Sequence, residues 1–356
     1  MFSADLGVQA AASTGTQFLA VVFNTSPTIN VYPWSSSGFG AKYGNPATSV
    51  PTGYAPVEDF AISPSGNAIA IAVNGSSDPK AGLSFGLQAY SFSLSGFGTK
   101  FSDPAGRSRA EVYTCAFSPL GNALAYGMGN ASPNFVVTAW SGAGFGTQFS
   151  SPATLPSGTV YSCAFSPSGN ALAVGSAFNP LSAYPWSGSG FGTRFSPPST
   201  GPTSYASDIA FSPSGDTLLA SNDSSPFINA YPFSTSGFGT KFSNPSTLPT
   251  GAGFGCSFSP SGDAVAVSHV NSPRITVYAW SGSGFGAKFA DPSTPVPGTG
   301  EDCAFSPDGN ALAIAHSNSP FISVYAWSGS GFGAKFTNPA ILPGATCVAC
   351  AFGVIP

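Results

Sequence analysis

The apolar positions of this chain fall in short runs, and the runs recur in a fixed order. Asp302-Cys303-Ala304-Phe305 is one such run, ended by Pro307-Asp308-Gly309-Asn310, which carries Pro and Gly where a tight turn wants them. Ala311 to Ala315 alternates Ala with Leu and Ile. After Ser317-Asn318-Ser319-Pro320, the stretch Phe321 to Trp327 alternates again. It puts Phe321, Tyr325 and Trp327 on one face and Ile322, Val324 and Ala326 on the other. Ser328-Gly329-Ser330-Gly331 turns the chain once more before Phe332 to Phe336. Period-two segments of this length between turn signals predict four short antiparallel strands, named a to d in order. Neither face is polar, so both should be buried.

The whole unit repeats. Gly-Phe-Gly is centred on Phe39, Phe97, Phe145, Phe191, Phe238, Phe285 and Phe332, at spacings of 58, 48, 46, 47, 47 and 47. A phrase like Ala-Phe-Ser-Pro-Ser-Gly-Asn recurs between them, as at Ala164-Phe165 and Ala304-Phe305. A four-strand unit with a period in the forties predicts a β-propeller. The fold class is all-β, a seven-bladed propeller of four-stranded antiparallel blades forming one domain over 1–356. Blade 1 takes about 8–44, and blades 2 to 7 take about 55–101, 112–149, 160–195, 206–242, 253–289 and 300–336. After the seventh Gly-Phe-Gly the chain makes one more strand a and stops. The segment 347–352 should therefore close blade 1 and remove an open sheet edge. The competing arrangement keeps Val8 to Ala12 in that slot.

Composition supports a packed core: 42% of residues are hydrophobic and 13% aromatic, against 7% charged. The net charge of −4, without a basic stretch, argues against nucleic acid. No run approaches the ~18 apolar residues of a membrane span, and Met1-Phe2-Ser3-Ala4-Asp5 does not read as a signal peptide. Cys115, Cys163, Cys256 and Cys303 share one repeat position, and Cys350 reads as a fifth copy. That position suits buried thiols rather than disulfides. Cys347 and Cys350 form a lone CxxC without the further ligands that zinc needs.

The run Phe305-Ser306-Pro307-Asp308-Gly309-Asn310-Ala311-Leu312-Ala313, with Val324-Tyr325-Ala326-Trp327, resembles the WD40 family over essentially the whole chain. The family's Gly-His pair and the Asp after Trp are missing, so its buried polar network does not carry over. The idiom from Tyr32 to Lys42 resembles repeats of propeller proteins encoded by tailed bacteriophages. That resemblance implies a virion protein of the tail or capsid surface, with other virion proteins or a host-surface ligand as partners.

Candidate chemistry is sparse. No HExxH, P-loop or dinucleotide fingerprint occurs. His269 and His316 stand at matching positions without an acid partner in sequence. Lys42, Lys100, Arg194, Lys241, Lys288 and Lys335 stand two residues past a Gly-Phe-Gly, making an outer basic belt that either protects strand edges or docks on an acidic partner. Asp59, Asp208 and Asp302 start strand a in their blades, two of them preceded by Glu58 and Glu301. They form a candidate axial cation site, or else cap backbone amides. The d–a and b–c loops vary most, and binding is expected there, at Asp78, Lys80, Arg107 and Arg109. The resulting expectation is a non-enzymatic binding or structural module without a cofactor, resident in a virion. The alternative is a lectin propeller whose Gly-Phe-Gly rings bind a glycan.

Overall fold

The computed structural model describes residues 15–48, 56–75, 86–105, 111–129 and 131–356. These residues form seven sheets of four antiparallel strands, one sheet per blade. The last blade shows the plan: strand a Gly300–Phe305, b Ala311–His316, c Ile322–Ser328 and d Gly331–Lys335. Strand c starts one residue later than its alternation predicts. Phe321 takes a left-handed φ of 69° and donates its amide to Asn318 O at 2.7 Å, so it closes the loop instead of opening the strand.

Ring closure uses the C-terminal strand. Cys347–Ile355 pairs antiparallel with Thr16–Phe23 along its whole length, and the sheet order of blade 1 puts it innermost. The competing segment, Val8 to Ala12, lies outside the described residues.

The blades stack through the alternation read from strand c. Tyr325 and Trp327 pack on Ala264, Ala266, Ile275 and Val277 of blade 6. The opposite face, Ile322 and Val324, packs with Tyr32 and Trp34 of blade 1. Large rings thus sit on a neighbour's small-residue face, which explains the Ala and Phe excess. Trp327 itself is held by three edge-on rings at centroid distances of 5.4, 5.1 and 5.1 Å: Phe305 from strand a, Phe332 from Gly-Phe-Gly, and Phe289 from blade 6. The inter-blade contact recurs around the ring, as in Phe336 on Trp34, Phe101 on Trp140 and Phe242 on Trp280. All five tryptophans of the chain stand at this strand-c position. The Gly-Phe-Gly rings are therefore half-buried packing groups of their own blades.

Strand d length follows one residue of strand c. Where that residue is Pro33, Pro185 or Pro232, strand d has only two residues. Where it is Ser91, Ala139 or Ala326, strand d has five. Proline lacks the N–H that a longer ladder would use.

Candidate site at the axial mouth

The inner ends of the blades carry the most unusual chemistry. Strand a is the innermost strand, and its amides on the axial side have no further strand to pair with. Three aspartates supply acceptors for them. Asp59 takes the amide of Cys115 at 2.9 Å, Asp208 that of Cys256 at 2.7 Å, and Asp302 that of Cys350 at 2.8 Å. Each bond runs from one blade to the next. Asp59 and Asp302 also accept the amide of their own following residue, at 2.7 Å each. Gly255 stands at the matching place in blade 6, where a Cβ would strike the Asp302 carboxyl.

These aspartates therefore staple blades together. Burial pushes the Asp59 carboxyl well above the usual range, and Asp302 adds to the effect. Among the described residues, no group of three or more His, Cys, Asp and Glu side chains is arranged to hold a metal ion. The cysteines whose amides are stapled are buried, with free thiols. Burial raises the pKa of Cys115, Cys303 and Cys350, which makes them poor nucleophiles.

The residue just before each aspartate position behaves differently. In blades 2, 3, 4, 5 and 7 the a–b register slips there, a β-bulge between Val57 and Asp59, Val112 and Thr114, Val160 and Ser162, Ala206 and Asp208, and Gly300 and Asp302. A bulge re-aims the side chain of the extra residue. The residues so placed are Glu58, Tyr113, Tyr161, Ser207 and Glu301. They stand where strands a begin, at the end of the ring where the d–a and b–c loops gather, which is here termed the mouth.

Glu301 is the most constrained of them. It is 3% exposed, and its Oε2 has no hydrogen-bond partner among the described residues. Burial pushes its pKa up to about 7. Glu58, at the same position in blade 2, accepts the Asn74 side-chain amide at 2.9 Å, and burial raises it too. Beyond Glu58, Tyr113 meets Tyr161 at 5.7 Å edge-on, and Tyr161 meets Tyr205 at 5.0 Å. Glu111 stands beside Tyr113, since a Cβ on Gly129 would lie 2.9 Å from its carboxylate and 3.0 Å from the Tyr113 ring.

The two histidines are not part of this cluster. Each is fully buried at the end of strand b: His269 Nε2 meets Thr276 Oγ1 at 2.9 Å, and His316 Nε2 meets Ser323 Oγ at 3.0 Å. Burial lowers both to about 4, so they are neutral at ordinary pH. The basic belt folds back on itself. Lys42, Lys241 and Lys335 donate to Asn45, Asn244 and Asn338, while Lys100 and Lys288 pair with Asp103 and Asp291. Arg194 lies against the phenol of Tyr184. Asp78, Lys80, Arg107 and Arg109 lie outside the described residues.

No family model and no curated protein matches the sequence. Solved structures do match. The chain is similar to a protein of Bacteroides uniformis provisionally named a 6-phosphogluconolactonase, at 14% identity and a TM-score of 0.70, covering 95% of this chain and 100% of that one. It is similar to the periplasmic gluconolactonase of Pseudomonas aeruginosa, at 16% identity and a TM-score of 0.69, covering 96% and 99%. A second provisionally named 6-phosphogluconolactonase, from Bacteroides fragilis, matches at 11% identity and a TM-score of 0.63, covering 96% and 99%. The ring is shared with lactonase-named propellers. At these identities the likeness is one of fold.

It nonetheless overturns the expectation of a non-enzymatic virion module, because these fold neighbours carry enzyme names. The expectation rested on missing nucleophile and metal motifs. A propeller does not need contiguous motifs, since its axial mouth gathers one side chain from each of several blades. No helix of the described residues is long and apolar enough to cross a membrane.

Proposed function

We propose that this chain is a lactone hydrolase acting at the axial mouth, with Glu301 as its general base. The observation that carries the reading is the Glu301 carboxyl: held on a bulge, almost wholly buried, one oxygen unpartnered, and raised by burial to about 7. A base with a pKa near the working pH combines a useful ionised fraction with strong proton affinity. The names of the fold neighbours, lactonases of sugar acids, supply the substrate class.

In this mechanism the Glu301 carboxylate takes a proton from a water whose oxygen attacks the lactone carbonyl carbon. The tetrahedral intermediate collapses with cleavage of the bond between that carbon and the ring oxygen. The ring oxygen leaves with the proton held by Glu301, giving the hydroxy acid and restoring the carboxylate. No metal or covalent intermediate is required.

The test is hydrolysis of δ-gluconolactone by the purified protein, measured above the spontaneous rate. Glu301→Gln keeps the shape but cannot take the proton, and it should lose about 100-fold or more of kcat/KM. Hydrolysis no faster than in buffer would remove the lactonase reading. Wild-type hydrolysis retained by E301Q would remove Glu301 from the mechanism.

A further inference from the structure

Three tyrosines make a continuous strip at the mouth, across blades that are successive in the ring. Tyr113 and Tyr161 come from the bulges of blades 3 and 4. In blade 5 the bulge residue is Ser207, and Tyr205, two residues earlier, reaches in its place to Tyr161. The strip thus continues although the repeat does not supply it, which equivalent packing of equivalent blades does not explain. All three rings are half-buried, whereas the ring-bearing positions of strand c are almost fully buried. At one end stand the Glu58 carboxylate with its Asn74 amide and the Glu111 carboxylate beside Tyr113. Among the described residues, basic side chains lie on or just past the outer strands or, for Arg274, in the b–c loop of blade 6, where it donates to Val296 O at 2.9 Å.

We propose that this strip is a saccharide subsite, which extends the lactonase substrate to an aldonolactone bearing a further, uncharged sugar ring. The inference rests on the lactonase reading for what is cleaved, but not for what is bound. A pyranose presents a C–H face that lies on a phenol ring, and hydroxyls that need acceptors and amide donors at the ring edge. Tyr113, Tyr161 and Tyr205 supply the first, and Glu58, Glu111 and Asn74 the second. The acidic flank of Glu58 and Glu111 disfavours a phosphorylated ring.

The experiment compares wild type with Tyr161→Ala and Tyr161→Phe, after thermal melts confirm that each folds. Binding of maltobionate is followed by saturation-transfer NMR, and hydrolysis of maltobionolactone is compared with that of δ-gluconolactone. Maltobionate should bind wild type and Y161F, and about tenfold more weakly to Y161A, as expected for one lost aromatic contact. The ratio of kcat/KM for maltobionolactone over δ-gluconolactone should fall by a similar factor in Y161A and hold in Y161F. An unchanged ratio and unchanged binding in Y161A would overturn the subsite while leaving the lactonase standing. Maltobionate binding lost in Y161A, with neither lactone cleaved by wild type, would uphold the subsite and sink the lactonase. Saturation transfer to choline but not to maltobionate would make the strip a site for organic cations and overturn the proposal.

Discussion

The Asp302 carboxylate accepts the Cys350 amide at 2.8 Å, tying blade 7 to the strand that closes blade 1. Its other oxygen takes the Cys303 amide, so neither oxygen is spare for these two donors. Asp302→Asn turns one acceptor into a donor facing an N–H. It should cost about 1–3 kcal/mol in urea unfolding, with the m-value unchanged. Gly255→Ala, which drives a methyl group into the same carboxyl, should destabilise without removing any hydrogen-bonding atom. Stability equal to wild type in both variants would remove the staple from the account.

Closure by the last strand makes a second expectation. Deleting 347–356 leaves Thr16–Phe23 as an unpaired edge with its apolar faces uncovered. The truncated ring should aggregate or lose cooperative unfolding, and a synthetic peptide of 347–356 should restore it in part. A truncated protein that stays monomeric with an unaltered melt would contradict the closure.

The aromatic triads set the scale of inter-blade packing. Trp327→Ala removes a ring touched by Phe289, Phe305 and Phe332, and should cost about 3–5 kcal/mol. Phe332→Ala, at a half-exposed position of the same cluster, should cost clearly less. Chemical denaturation of the two variants checks the order.

Buried histidines give the fold an acid limit. A histidine lowered to about 4 in the native state, against 6.5 unfolded, contributes stability that is complete above pH 6.5 and is lost as pH falls towards 4. For His269 and His316 this amounts to up to ~3 kcal/mol each, fading over that window. His316→Gln should flatten this limb of the stability profile relative to wild type. Glu301 has the opposite sign. Raised from 4.5 to about 7, its contribution is complete below pH 4.5 and fades as pH rises through 7. Glu301→Gln should therefore be more stable than wild type at pH 8 and show little gain at pH 5.

The ring was legible because its cause is periodic. Gly-Phe-Gly, the Ser-Pro turn and the strand-c tryptophan recur at one spacing, and each has a packing duty that the structure bears out. Cys350-Ala351-Phe352 marks the closing strand because it repeats the Cys-Ala-Phe phrase of strand a at Cys115, Cys163 and Cys303. The site was only half legible. The aspartate column stood out by charge, but its direction depends on the neighbouring amide that each carboxylate meets. In the sequence Glu301 is marked only by its place beside Asp302. Its placement at the mouth comes from a one-residue bulge, and strict alternation has no mark for a bulge. Tyr205 was invisible for a similar reason: it joins Tyr161 from outside the repeat position. A signal was present nonetheless, since Glu, Tyr, Tyr and Glu break an otherwise apolar repeat at one place.

The most direct test of the account is the pH dependence of kcat/KM for δ-gluconolactone from pH 5 to 8.5, corrected for spontaneous opening. The account predicts a rise through an apparent pKa near 7, set by Glu301, that disappears together with most of the activity in E301Q. A flat profile, or an E301Q enzyme that keeps both the rate and the rise, would contradict it.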